Sequence, residues 1–99
     1  MSSESGLMGG WSLWNFTLSP EAKKVFEHTV GLLRGVNYTP LAFATQVVDG
    51  LNYCFLCKGQ VVVPEQPQFA VLIYVWAPPG GEPHITHIKR INPGRICGP

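Results

Sequence analysis

Hydrophobic and polar positions change their period once along the chain. Between residues 20 and 34, Ala22, Val25, Phe26, Thr29, Val30 and Leu33 recur at three- and four-residue steps, the spacing of a single buried helical stripe. Ser19 stands where a side-chain oxygen can accept the orphan N–H groups of a first turn. Pro20 follows at the first helical position, where its missing N–H has no partner to lose. Arg34 suits the negative end of the helix dipole and Gly35 the left-handed cap. The pattern predicts one long helix over 20–34.

Everything after Gly35 reads as strand. Tyr38 to Val48 is rich in Thr, Val and aromatics. Asp49-Gly50 lies between Val48 and Leu51, and an Asp-Gly pair between apolar runs marks a hairpin. Leu51 to Val63 continues as a long strand, with a bulge expected at Gly59. Pro64 to Pro67 (PEQP) is a turn. Phe69 to Trp76 is nearly continuous in apolar residues and belongs in the middle of a sheet. Ala77 to Pro83 (APPGGEP) is a second, rigid turn, and His84 to Ile91 a last strand. Ahead of the helix, Trp11 to Phe16 (WSLWNF) reads as a short first strand.

One apolar helical stripe needs one sheet face to cover it. The expected fold is therefore α+β: an antiparallel meander sheet of four to five strands wrapped over one long helix, occupying 11–91. Residues 1–10 read as a flexible N-terminal arm and 92–99 as a Pro/Gly-rich C-terminal tail.

Composition narrows the class. At 99 residues, with hydrophobic residues at 45% and charged ones at 13%, the chain suits one globular domain rather than disorder. A formal net charge of +1 leaves no basic footprint for nucleic acid or an anionic membrane. A contact surface must then work by shape and apolar groups. Three cysteines cannot complete a disulfide framework. The opening MSSESGLMGG lacks the basic start and apolar run of a secretory leader, and no apolar run is long enough to span a bilayer. The expectation is a reducing, cytoplasmic setting.

The string Gln46-Val47-Val48-Asp49-Gly50 fits the pattern Q-x-V-x-G of a first hairpin, and Leu51-Asn52-Tyr53 opens the next strand. Gly9-Gly10 precedes the helix, and Ala77-Pro78-Pro79-Gly80-Gly81-Glu82-Pro83 forms a Pro-flanked second loop. In these features the chain resembles the cystatin family of cysteine-protease inhibitors, nearest its intracellular stefin branch. The resemblance spans about residues 9–91. The secreted branch's Pro-Trp step and C-terminal disulfides are absent, Trp76 lying just before the turn instead.

The resemblance implies a cystatin-like fold that inhibits papain-like cysteine proteases reversibly and without covalent chemistry. The resemblance further implies a protein that is not an enzyme and uses no cofactor or metal. The arm at Gly9 and Gly10, the hairpin Gln46, Val47, Val48, Asp49 and Gly50, and the loop at Pro78 and Pro79 would form a wedge filling the protease cleft. Gly10 and Gly50 suit close backbone approach. Val47 and Val48 are stiff apolar side chains, and Pro78 and Pro79 fix the second loop before contact. The arm, with Leu7 and Met8, would tune selectivity. The expected state is a monomer able to exchange its first hairpin into a domain-swapped dimer. The competing reading is a non-inhibitory protein-interaction module on the same scaffold.

Two other chemistries are weighed on the residues. Cys54-x-x-Cys57 and His84-x-x-His87 look like parts of a zinc site, but residues three apart on a strand point to opposite faces and should not chelate one ion. Cys54 and Cys57 then read as buried free thiols and Cys97 as a tail thiol. A Cys/His enzyme needs a thiolate, an imidazole and an orienting group within reach, and the linear sequence offers no such set. His28 reads as a surface residue of the helix, and Trp11 and Trp14 as sheet packing.

Overall fold

The computed structural model describes residues 10–92. Gly9, Leu7, Met8 and Cys97, singled out above, lie outside them. The elements in chain order are α1 (Pro20–Thr29), a 3-10 turn (Val30–Leu32), β1 (Val36–Val48), β2 (Gly50–Val61), β3 (Gln68–Ala77) and β4 (His84–Ile91). The four strands form one antiparallel meander in the order β1-β2-β3-β4, so the architecture is α+β.

The helix starts as its sequence dictates. The Ser19 hydroxyl accepts the Ala22 N–H at 3.1 Å, Pro20 occupies the first turn and Glu21 faces the positive end of the dipole. The expected length to residue 34 is wrong. The α-helix ends at Thr29 and tightens into a single 3-10 turn. Thr29 has left helical geometry (φ −124°, ψ −77°), and its hydroxyl donates to the Val25 carbonyl at 2.7 Å. Two β-branched residues followed by Gly31 supply little helix propensity to carry the spiral on. Leu33, placed on the buried stripe by spacing, is accordingly exposed, as is Leu32.

Ala22, Phe26 and Val30 pack on one face of the sheet, against Phe43, Tyr53, Phe55, Cys57, Val71, Ile73 and Val75. These strand residues alternate, as period-two geometry demands. Phe55 is fully buried at the centre, edge-on to Phe26 with ring centroids 5.2 Å apart and stacked on Tyr53 at 5.7 Å. The fully buried side chains contribute about 1.5–3 kcal/mol each, and the short helix suffices because two of its residues and Val30 of the 3-10 turn reach this centre. The opposite face carries Ala44, Cys54, Leu72 and Tyr74, under the rings of Trp11 and Trp14.

Three further expectations are corrected. The segment 11–16 is not a strand: it touches β1 only through two isolated bridges, Trp11 with Gln46 and Asn15 with Phe43. Asn15 turns its side chain onto the Thr17 N–H at 2.9 Å, which bends the chain away from the sheet. Second, β2 ends at Val61 rather than Val63. Third, Gly59 lies in unbroken register between Tyr38 and Phe69, so it is no bulge. It is glycine because a Cβ would fall on the Phe69 ring, 2.5 Å from its nearest atom. The Arg90 guanidinium covers that ring 3.7 Å from its centroid.

The irregularities lie elsewhere. One falls between Pro40 and Ala42, where a proline that cannot donate to the ladder is tolerated. The other falls between Tyr74 and Val75, opposite Thr86. Among the described residues no helix is long and apolar enough to cross a membrane.

Candidate functional site

The first hairpin is as tight as its sequence suggests. Val48 pairs with Gly50 across Asp49 alone, and Gly50 takes φ +89°, a conformation that glycine adopts without a Cβ clash. Below the tip, Gln46 and Asn52 face each other, and the Asn52 amide Nδ2 donates to Gln46 Oε1 at 2.8 Å. The tip is tied to β3 as well: the Trp76 indole Nε1 donates to the Asp49 carbonyl at 2.9 Å. The side chains of Val47 and Val48 are half-buried, while Asp49 is exposed.

The second loop leaves β3 at Ala77, which pairs with Leu51 at the foot of the first hairpin. Pro78 to Gly81 closes a turn in which the Gly81 N–H donates to the Pro78 carbonyl at 3.3 Å and Gly80 takes φ +69°. The two tips press together. A Cβ on Gly50 would collide with the Ala77 carbonyl oxygen and would stand 3.0 Å from both Pro78 and Pro79. Pro79 is exposed and Pro78 half-buried.

The chain that enters the domain arrives at the same end. Trp11 bridges Gln46, the Ser12 N–H donates to the Thr45 carbonyl at 2.8 Å, and the Thr45 N–H donates to the Ser12 hydroxyl at 2.9 Å. Gly10 therefore stands beside the last residues of β1. Of the residues singled out from sequence, Gly10, Gln46, Val47, Val48, Asp49, Gly50, Pro78 and Pro79 come together at one end of the sheet. Gly9 lies outside the described residues.

Trp76, Asn52 and Ser12 were not among those residues, yet they hold the three stretches in place. One sequence clue to Trp76 existed. Once both turns are fixed, meander register sets it opposite Asn52, beside the hairpin tip. A shallow groove of about 430 Å³ runs there between Val48, Asp49, Asn52, Trp76 and Thr86.

The thiols behave as buried groups. Cys57 lies in the core on the helix side, and Cys54 faces the other side of the sheet. Burial, with the neighbouring Cys54, pushes the Cys57 thiol up to about 12. Burial also raises Cys54, while a hydrogen bond with Tyr74 draws it partly back. The nucleophilic thiolate is suppressed at both positions near neutrality. The two cysteines thus split between faces as strand spacing predicts. The two histidines do not: His84 pairs with Trp76 and His87 with Tyr74, so both lie on one face. Among the described residues, no three His, Cys, Asp or Glu side chains gather where a metal ion could sit.

Comparison with known proteins finds no matching family model, no matching curated protein and no matching solved structure.

Proposed function

We propose that the chain is a cystatin-like inhibitor of papain-like cysteine proteases, acting by insertion of its glycine- and proline-built end into the protease cleft. The observation that carries the reading is the contact between the two loops, with Gly50 pressed on Ala77, Pro78 and Pro79. A plug assembled from distant stretches works only if those stretches share an edge.

The mechanism is steric and reversible. The tip has little freedom to lose on binding: Trp76 holds the Asp49 carbonyl and the Gln46–Asn52 bond closes the strands behind it. Such preorganisation removes part of the ordering cost of association. Val47, Val48 and the prolines offer apolar area, and the close backbone approach at Gly50 keeps the edge thin. Asp49 carries the exposed charge at the tip, so it bears on which clefts accept the wedge. Papain-like cysteine proteases are the partner class of this reading.

Titration of papain with the purified chain tests the reading. Inhibition should be saturable, unchanged when the chain's own thiols are blocked and the reagent removed before papain is added, and reversed by dilution. Val48→Asp should weaken it at least about tenfold, because a buried unpaired carboxylate costs more than 1.4 kcal/mol. Inhibition untouched by that change rules out the wedge. No inhibition at all favours a binding module on the same scaffold.

A further inference from the structure

Residues three apart on a regular strand point to opposite sides of a sheet. His84 and His87 escape that rule because of one extra residue. Pairs from Leu72–Lys89 to Tyr74–His87 keep one register, and Val75–Ile85 and Trp76–His84 keep another, with Thr86 taking up the difference. The bulge returns both imidazoles to the same face, in the relation of neighbours two apart. Ring contacts confirm the placement independently. His84 stands edge-on to Trp76 with centroids 5.6 Å apart, and His87 lies against Tyr74 at 5.8 Å.

We propose that His84 and His87 form a two-imidazole chelate for a divalent transition-metal ion, Cu²⁺ foremost. Their partners Tyr74 and Trp76 are two residues apart on β3, so the histidine rows are about 6.5–7 Å apart along the sheet. Same-face side chains at that separation can converge on one ion. Each ring is braced by an aromatic neighbour, which limits the rotamer freedom lost on binding. Both imidazoles are exposed, so an ion reaches them from solvent and water fills its remaining positions. Imidazole nitrogen favours Cu²⁺, Ni²⁺ and Zn²⁺ over hard cations, and Cu²⁺ binds most strongly in that order. A third ligand is not required at such a site, and its absence limits the affinity. The proposal is independent of protease binding.

The test is a titration of the full-length chain with CuCl₂ in a buffer that does not bind copper, followed by calorimetry and by paramagnetic broadening of backbone amide signals. Broadening should start at residues 74–76 and 84–87. His84→Ala and His87→Ala should each lower the affinity about tenfold or more, the size of effect that loss of even an outer-shell partner produces. His28→Ala, on the helix, should leave it unchanged. Equal affinity in all three variants, loss in only one of His84→Ala and His87→Ala, or broadening centred elsewhere would each overturn the proposal.

Discussion

Alanine substitution at three glycines with positive φ separates backbone strain from collision. Gly35 (φ +86°), Gly50 (φ +89°) and Gly80 (φ +69°) all occupy a region that side chains avoid, yet only Gly50 has anything close to a new Cβ. Gly35→Ala and Gly80→Ala should therefore cost only the conformational penalty, about 1–2 kcal/mol. Gly50→Ala adds a clash with the Ala77 carbonyl oxygen and with Pro78 and Pro79, which must move apart. Overpacking of this kind costs about 1–3 kcal/mol more, for a total of about 2–5 kcal/mol. Urea unfolding measures the difference. With a slope of about 1–3 kcal/mol/M, Gly50→Ala should lower the midpoint roughly 1 M further than Gly80→Ala. The same variant should lose protease inhibition, because the two tips no longer share an edge. Equal midpoints for all three variants would refute the close contact between the loops.

Four further outcomes can be measured. Phe55→Ala, which empties the fully buried centre of the core, should destabilise by about 3–5 kcal/mol in the same unfolding assay. Trp76→Phe removes the bond to the Asp49 carbonyl and should cost about 0.5–1.5 kcal/mol, with faster dissociation from papain as its functional trace. Cys57 is raised from 9.0 to about 12 on folding, so the unfolded chain holds fewer protons between those values. The contribution of this thiol should be complete below pH 9 and be lost as pH rises toward 12, and Cys57→Ser should flatten that limb of a pH series. On ageing at high concentration, a hairpin-exchanged dimer separated by gel filtration should lack inhibition that the monomer retains.

The sequence carried most of this fold because its strongest cues are local. Asp49-Gly50 between two apolar runs specified the hairpin, and Ser19-Pro20 specified the helix start. What it could not carry depends on contacts between distant residues. Apolar spacing alone continues to Leu33, but the helix stops at Thr29, where its hydroxyl turns back to the Val25 carbonyl. Gly59 reads as a break until the Phe69 ring is seen against it. Trp11 to Phe16 has strand composition, yet only two bridges reach β1. At the candidate site, the Gly and Pro residues were legible as turn formers. The bracing by Trp76 could be reached only through the meander register that sets it opposite Asn52, since nothing local ties residue 76 to residue 49. The facing of His84 and His87 was misjudged for a related reason: a one-residue bulge reverses strand parity, and no residue type announces it.

Cys54 and Cys57 lie on opposite sides of the same strand. The sheet is an insulating wall between them, and the sulfurs cannot bond to each other without tearing out β2. The body of the fold thus owes nothing to a covalent cross-link between these two. Moved between reducing and oxidising surroundings, it keeps this part of its covalent framework, and its stability rests on the packed core and the strand ladder.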